Sequence, residues 1–288
     1  MTSEFSNVTI DGVRLHRMVL HPSGNQPEVG ACVFTHGQGD YGERYLDVLH
    51  PFTERGIRCI VTDLQGHGRS DGKRGHAGSP EFIDQIIQSN LAETDGLPTG
   101  IAGHSMGGLL TLRHLALSLT GDLPMPEYCW VNAPLLHPAN GRSDWFVRMA
   151  QFFASLAPMA TIHTGVTPDM CRQGGGCDGR LPKDPFSLGH QKVSLGWGSD
   201  LIEMSEFMHQ TLKDKSYNLP FLFTQGTADQ VCPPELAKTF FEQLDWPNKR
   251  FNAFEGMRHE TFAESGRDEL FTTMGKWLDT FHTSQAPA

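Results

Sequence analysis

A serine, an aspartate and a histidine, in that order along this chain, have the types and spacing of an acyl-transfer catalyst. Ser105 lies in Gly103-His104-Ser105-Met106-Gly107, a serine flanked by glycines at a tight turn between a strand and a helix. The glycines leave room for backbone that passes close to the turn, and the free N–H groups of the following helix favour negative charge beside the serine. The pattern therefore predicts that Ser105 is a nucleophile.

A serine hydroxyl needs a nearby base and a third group that orients the base. Asp229 follows a predicted strand, at the edge where open α/β sheets place ligand-facing groups. Two histidines come after it: His282 lies near the C-terminal end, whereas His259 lies in the loop after the last predicted strand. Each residue alone is compatible with an ordinary loop position, but together they follow Ser105 in the order this type of fold uses. We predict that His259 is the base and that Asp229 orients it.

Two backbone N–H groups are needed to bind the oxyanion that forms during acyl transfer. Met106, the residue after the nucleophile, is the predicted first donor, and its side chain is expected to pack in the core. The second donor is expected in the turn after the first central strand, residues 36–39, with Gln38 as the candidate. Three histidines beside glycine turns are interpreted as structural: His36, His67 and His104.

Strands and helices alternate along most of the chain, which predicts an α/β fold with a mostly parallel sheet and helices on both faces. An edge hairpin with the turn Asp11-Gly12 is predicted over residues 7–20. Further strands are predicted at residues 29–35, 57–62, 99–102, 127–132, 219–226 and 249–254. Helices are predicted at residues 44–55, 80–93, 108–119, 234–244 and 268–281, with Ser79 as the cap of the second.

The alternation stops between residues 135 and 217, which predicts an inserted helical cap within a core formed by residues 1–134 and 218–288. The cap contains two amphipathic runs. The first supplies five candidate substrate-binding residues: Trp145, Phe146, Met149, Phe152 and Phe153. We expect them to shape an acyl-chain slot or to touch a lipid surface, and packing onto the core is the alternative. The second run includes Leu201, Met204, Met208 and Leu212.

Composition argues against several other classes of function. The formal net charge is −10, from 23 Lys plus Arg against 33 Asp plus Glu, which disfavours a nucleic-acid partner. The sequence has no basic and apolar leader and no run of about 18 apolar residues, so we expect neither a secretion signal nor a transmembrane segment. It also lacks metal-ligand spacings such as His-Glu-x-x-His, and we expect no metal and no cofactor.

The six cysteines favour a reducing, cytoplasmic location. Cys32, Cys59 and Cys129 lie in apolar strands, where free cysteine acts as a small buried hydrophobe. Cys171 and Cys177 flank a short glycine-rich loop that a disulfide could close. In a chain of this size without a secretion signal, free thiols are the favoured interpretation.

The motifs, taken in order, resemble those of the α/β-hydrolase superfamily, and within it the monoacylglycerol lipase and lysophospholipase group, also described as serine-aminopeptidase-like. The matching segments are residues 36–45, 63–70 and 103–108 and the loops that carry Asp229 and His259. The resemblance covers most of residues 29–134 and 219–281 but does not cover the cap closely. One departure is Asp40-Tyr41, where the group commonly has an acidic residue followed by histidine.

This resemblance implies a serine hydrolase that cleaves monoacylglycerol or lysophospholipid-type esters through an acyl-enzyme intermediate. In the resembling lipases, the arginine that matches Arg44 helps to hold the leaving alcohol's side of the site. A solvated residue in the first turn of a helix is the alternative for Arg44. The expected partners are small-molecule or lipid esters, with peripheral membrane contact through the cap as a further expectation.

Three alternatives stay open at this point. Residues 37–42 follow a strand and open a helix, with Asp63 at the end of the next strand, as in a dinucleotide-binding fold. That interpretation leaves Ser105, Asp229 and His259 unexplained. A hydrolase-like binding protein would keep the fold without catalysis. Peptidase or thioesterase activity is also compatible with the motifs, because the fold and the three residues do not specify a substrate.

Overall fold

The computed structural model of the protein describes residues 1–24, 26–173 and 188–282. Within this part, the side chains of Asp144, Phe146 and His282 are not described. Cys177 and the side chain of Phe146, both named above, therefore lie outside the described structure.

Within the described residues, eight strands form one sheet in the order β1-β2-β4-β3-β5-β6-β9-β10. The β1–β2 and β2–β4 pairs are antiparallel, and every pair from β4 to β10 is parallel. A separate antiparallel pair, β7–β8, lies in the insertion. The strands are β1 (Thr2–Ile10), β2 (Val13–His21), β3 (Gly30–Thr35), β4 (Ile57–Thr62), β5 (Thr99–His104), β6 (Cys129–Asn132), β7 (Thr161–His163), β8 (Lys192–Ser194), β9 (Phe221–Gly226) and β10 (Lys249–Phe254).

The helices are α1 (Leu46–Thr53), α2 (Pro80–Ala92), α3 (Met106–Thr120), α4 (Asp144–Leu156), α5 (Pro168–Cys171), α6 (Leu195–Lys213), α7 (Pro234–Gln243) and α8 (Arg267–His282). In the described part of the chain, none of them has both the length and the apolar character that a membrane span requires. The mostly parallel sheet with intervening helices confirms the predicted fold class.

Two segments with clear local sequence signals adopt the structures that those signals predict. Asp11 and Gly12 both have positive φ, 47° and 80°, as a two-residue hairpin turn between β1 and β2 requires. The Ser79 side chain accepts a hydrogen bond of 3.2 Å from the Phe82 N–H and caps α2. α3 differs from the prediction because it begins at Met106, directly after the serine, rather than near Gly108.

Each face of the sheet is covered by its own helices and apolar cluster. On one face, α1 and α8 contribute Phe52 and Trp277 to a cluster with Trp130 of β6. On the other face, α2, α3 and α7 contribute Ile83, Leu109 and Phe240 to a second cluster. The central strands are buried between these two layers, so the ends of the strands are where polar side chains can meet a ligand.

The second amphipathic run of the insertion belongs to the core rather than to a separate lid. α6 packs on α3, and its apolar stripe is fully buried: Trp197, Leu201, Met204, Met208 and Leu212. An apolar residue every three or four positions gives a helix one continuous buried face, which here completes the cluster around α3. Within residues 135–217, we therefore propose a cap only for the segment that precedes α6.

The turn between β5 and α3 has the strained backbone that the glycine pattern predicts. Ser105 has φ 55° and ψ −121°, a conformation that side-chain-bearing residues rarely adopt. A Cβ on Gly103 would lie 2.3 Å from the Gly107 carbonyl oxygen, and a Cβ on Gly107 would lie 2.0 Å from the Thr35 carbonyl oxygen. Only glycine fits at either position.

Replacing Gly107 by alanine should destabilise the protein, because the new methyl group would overlap the backbone of β3. We expect a loss of about 3 kcal/mol or failure to fold. The matched control is Gly198→Ala in α6, where a Cβ meets only Val193 at 3.9 Å and the gain in helix propensity should stabilise by about 0.5–1 kcal/mol. Thermal unfolding followed by circular dichroism measures both variants, and equal effects of the two substitutions would contradict the steric argument.

Candidate active site

Ser105 is held in its strained conformation by backbone hydrogen bonds on both sides. Its N–H donates to the Asn132 carbonyl oxygen at 3.0 Å, and its own carbonyl oxygen accepts from the N–H groups of Leu109 at 3.1 Å and Leu135 at 2.9 Å. The serine, partly exposed, lines a cavity of about 390 Å³ at the carboxyl ends of the strands. The backbone therefore presents this side chain to a space that a small ligand can enter.

Asp229 and His259 form a buried hydrogen-bonded pair, as the sequence predicts. His259 Nδ1 and Asp229 Oδ2 are 2.9 Å apart. The other carboxylate oxygen of Asp229 accepts the backbone N–H groups of Val231 at 2.8 Å and Cys232 at 2.9 Å. Burial raises the pKa of Asp229, but His259 and these N–H groups lower it by more than burial raises it. The pKa of Asp229 is therefore below its ordinary value. Asp229 is therefore a carboxylate that can only accept the Nδ1 proton.

The same pair fixes the ionisation of His259. Burial lowers the pKa of His259, but the adjacent Asp229 carboxylate outweighs burial and raises the pKa well above its ordinary value. His259 lines the same cavity as Ser105, whereas Asp229 lies behind the imidazole ring. The structure thus brings the predicted nucleophile and base to one cavity, with the predicted orienting acid on the far side of the base.

The two candidate oxyanion donors also lie at this site. The Gly37 N–H donates to the Tyr45 hydroxyl at 3.1 Å, so it is not available to a ligand. Among the residues the structure describes, the N–H groups of Gln38 and Met106 have no hydrogen-bond partner. Gln38 lines the cavity, and Met106 opens α3 directly after Ser105. Both N–H groups are therefore free to serve as the oxyanion donors, and this role stays a prediction.

Arg44 lies in the cavity wall and is paired on two sides, so the alternative of a solvated helix residue is wrong. It donates to Asp40 at 3.0 Å and to Glu260 at 3.1 Å. Arg172, from the insertion, donates to the same oxygen of Glu260. Burial raises the pKa of Glu260, but Arg44 and Arg172 lower it to about 2 overall. Two arginines and two carboxylates therefore give this end of the cavity a strongly polar wall.

The aromatic residues of α4 do not line this cavity, which corrects the expectation of an acyl-chain slot beside Ser105. Trp145, Phe152 and Phe153 are 71%, 56% and 50% exposed. Met149 is partly buried and is also absent from the described cavity lining. The side chain of Phe146 lies outside the described structure. Packing onto the core, the alternative, does not describe the three exposed rings either, because at least half of each is exposed.

Sequence reasoning missed a buried polar junction behind the site. The Asn132 side-chain oxygen accepts the hydroxyls of Thr224 at 2.9 Å and Thr261 at 2.8 Å, and its amide nitrogen is 2.9 Å from His104 Nδ1. The centroids of the His104 and His259 rings are 4.7 Å apart. Burial lowers the pKa of His104 to about 3, so its imidazole stays neutral. The sequence signal that could have identified Asn132 is its position, as a polar residue at the end of an otherwise apolar strand.

The described residues contain one cluster of side chains of metal-ligand type, formed by Asp229, Cys232 and His259, with donor atoms within 4.8 Å of one another. Both Asp229 oxygens already accept hydrogen bonds, since Oδ2 binds His259 and the Gln225 amide and Oδ1 binds two backbone N–H groups. Saturation by protein donors fits an orienting carboxylate better than an open ligand site.

Comparison with known proteins places the chain in a family. The family model "Serine aminopeptidase, S33" matches residues 26–266. A monoacylglycerol lipase of Mycolicibacterium smegmatis is 26% identical over 284 residues, covering 96% of each chain. The solved monoacylglycerol lipase of Paleococcus ferrophilus is 27% identical with a TM-score of 0.79, and the match covers 93% of this chain and 99% of that one. An abhydrolase domain-containing protein of Dictyostelium discoideum is 29% identical over 282 residues, covering 96% of this chain but 29% of that protein.

These matches confirm the prediction of a carboxylic ester hydrolase and decide against the dinucleotide-binding alternative. The family match extends over most of the chain, and the matches to the two lipases cover 96% and 93% of it. The chain therefore belongs to the serine aminopeptidase S33 family, in the monoacylglycerol lipase group of the α/β-hydrolases.

Proposed function

We propose that the chain hydrolyses lipid esters of the monoacylglycerol or lysophospholipid type, with Ser105, His259 and Asp229 as its catalytic triad. The observation that carries the proposal is the buried Asp229–His259 pair beside the strained turn of Ser105, with base and serine lining one cavity. The names of the lipases from M. smegmatis and P. ferrophilus support the same substrate class.

The geometry supports a defined path for the proton. His259 Nδ1–H donates to Asp229, which leaves Nε2 as the basic nitrogen. His259 Nε2 takes the Ser105 proton as the hydroxyl attacks the ester carbonyl, and Asp229 stabilises the imidazolium that results. The N–H groups of Gln38 and Met106 stabilise the oxyanion. His259 then gives the proton to the leaving alcohol, and water repeats the sequence to release the acid.

The polar end of the cavity supports an ester whose leaving group is polar. Asp40, Arg44, Arg172 and Glu260 all line it and offer both donors and acceptors. A glycerol or phosphorylated headgroup can satisfy such groups, whereas a hydrocarbon chain would leave buried polar atoms without partners.

The exposed face of α4 supports contact with a lipid surface. Four of its described large apolar side chains are 50% to 71% exposed: Trp145, Phe152, Phe153 and Leu156. They recur at helical spacing, so one side of α4 is apolar, and an exposed apolar patch of this kind marks a partner or lipid interface. An enzyme that takes single lipid molecules from an aggregate benefits from such a contact.

The cysteines support the predicted cytoplasmic location. All five described cysteines are free thiols: Cys32, Cys59, Cys129, Cys171 and Cys232. Cys171 in particular is not bonded to another cysteine, as the favoured interpretation of the sequence expects.

Ser105→Ala should abolish ester hydrolysis, because it removes the hydroxyl that would form the acyl-enzyme. We expect kcat/KM on a monoacylglycerol and on p-nitrophenyl esters to fall by about 10⁴-fold or more, with loss of labelling by a fluorophosphonate probe. The control is Ser216→Ala, which removes an exposed hydroxyl that bonds the Asp245 carbonyl oxygen and should leave the rates within two-fold. A wild-type protein as inert as the variant on every ester would refute the proposal and direct attention to peptide amides and thioesters.

The raised pKa of His259 should set the pH dependence. The base works only when neutral, so activity is lost as pH falls through its pKa, and a raised pKa moves this acid limb of kcat/KM above about pH 6.5. Asp229→Asn removes the charge that raises the pKa, so the limb should move to lower pH while the rate falls by about 10⁴-fold. Asp214→Asn on the surface is the control. An acid limb that stays in place in Asp229→Asn would contradict the assignment.

The double variant Trp145→Ser, Phe152→Ser should weaken attachment to lipid, because it removes two exposed apolar side chains. We expect co-sedimentation with phosphatidylcholine vesicles to fall by at least about ten-fold, since each buried aromatic contributes about 1.5–3 kcal/mol. Hydrolysis of a water-soluble short-chain ester should stay within two-fold of the wild-type rate. Equal losses on the soluble ester and on vesicles would show instead that α4 acts on the catalytic site.

A further inference from the structure

The turn that carries the Gln38 N–H is bonded to a segment of the insertion, residues 190–197. The Gln38 side-chain nitrogen Nε2 donates to the Lys192 carbonyl oxygen at 2.7 Å, and the His190 backbone N–H donates to the Gly39 carbonyl oxygen at 2.9 Å. Glycines on both sides of Gln38 give the turn wide conformational freedom. The direction of its N–H therefore depends on these contacts rather than on regular secondary structure.

Trp197 makes the contact that reaches both proposed oxyanion residues. Its side chain is fully buried, and its indole Nε1–H donates to the Gln38 side-chain oxygen at 3.0 Å. The same nitrogen lies 3.4 Å from Met106 Sδ. One N–H of the insertion thus touches the side chains of the two residues whose backbone N–H groups are the proposed oxyanion donors.

Trp197 is itself held firmly in place. Its backbone N–H donates to the Ser194 hydroxyl at 3.2 Å in the first turn of α6, and its ring packs in the cluster around α3. The Ser194 hydroxyl also lies 2.9 Å from His76 Nδ1 on the core. An indole ring has only two side-chain torsions, so a buried tryptophan is a rigid support for the group it bonds.

We propose that Trp197 is a positioning residue for oxyanion stabilisation, which fixes the Gln38 turn through its indole N–H. This inference rests on the proposed function, since it concerns the transition state of that reaction. An oxyanion donor is effective only when its N–H points at the developing charge before the reaction, and a displacement of about 1 Å can cost about 100-fold in rate. Removal of the indole N–H leaves the Gln38 side chain with its bond to Lys192 but without its bond to the buried core, so the turn can move.

Trp197→Phe tests the inference, because phenylalanine keeps an aromatic ring in the cluster and removes the N–H together with part of the indole ring. We expect kcat on a p-nitrophenyl ester to fall by about 10- to 100-fold with KM within about three-fold. The matched control is Trp246→Phe, which loses a comparable buried bond, from Nε1 to the Lys215 carbonyl oxygen at 2.8 Å, away from the cavity lining. In the control, both kinetic constants should stay within two-fold.

A trifluoromethyl ketone analogue of the ester separates positioning from packing. Its tetrahedral adduct with Ser105 places an oxyanion against the two N–H groups, whereas the fatty acid product does not. In Trp197→Phe, the inhibition constant of the ketone should rise by the same factor as kcat/KM falls, and that of the fatty acid should stay constant. A general loosening of the site would weaken both ligands.

Gln38→Met supplies a second route to the same interaction, since it removes the acceptor of the Trp197 N–H, together with the donor to Lys192, and leaves the backbone N–H in place. It should reproduce the loss in kcat, and the double variant should fall no further than Gln38→Met alone. If Trp197→Phe fails to fold, Gln38→Met alone tests whether the bond between Trp197 and Gln38 supports catalysis.

The outcomes separate this inference from the proposed function. A wild type that is active, with Trp197→Phe and Gln38→Met as active as Trp246→Phe, would overturn the positioning role and leave the triad intact. Ketone and fatty acid binding that change together would also overturn it. A wild type as inert as Ser105→Ala on every ester would overturn both the proposed function and the inference.

Discussion

The positive φ of Ser105 is the constraint on which the site depends. A side-chain-bearing residue in this conformation costs about 1–3 kcal/mol, and it persists only where surrounding structure determines it. Here the backbone groups of Ser105 are bonded to Asn132, Leu109 and Leu135. The end of β3 packs directly against the backbone of Gly107, in the first turn of α3. The strain places the hydroxyl at the end of the sheet, where no regular strand or helix conformation would place it.

The remaining site residues are set around that turn by a buried polar junction. Asn132 at the end of β6 bonds Thr224 of β9 and Thr261 of the loop that carries His259, and its amide meets His104 beside the turn. A buried amide without partners costs about 1–3 kcal/mol, so the three segments are most stable when all these bonds are made together. The bonds of Asn132 therefore tie the alignment of the site to the packing of the strands around it.

Much of this arrangement could be predicted from the sequence because it follows local rules. The glycines around Ser105, the capping Ser79 and the Asp11-Gly12 turn each specify one backbone geometry. The order of strands and helices specifies the edge of the sheet where Asp229 and His259 meet, since parallel strands share that edge.

The parts that could not be predicted depend on contacts between segments far apart in the chain. Arg172 shares a carboxylate oxygen of Glu260 with Arg44, and nothing near Arg172 in the sequence indicates that partner. The apolar face of α4 has the same helical spacing as the buried face of α6, yet one is exposed and the other completes the core. Periodicity shows that a helix has an apolar side but does not show what covers that side.

The packing of α6 in the main core limits how the insertion can vary among related enzymes. Exchange of the whole interval between β6 and β9 would replace the buried face of α6 by one whose side chains are not matched to those of α3. Residues 144–163, with α4 and β7, carry mostly exposed side chains and can diverge at little cost to the fold. Chimaeras that aim to transfer substrate preference should therefore join the chains before α6, so that each enzyme keeps its own core.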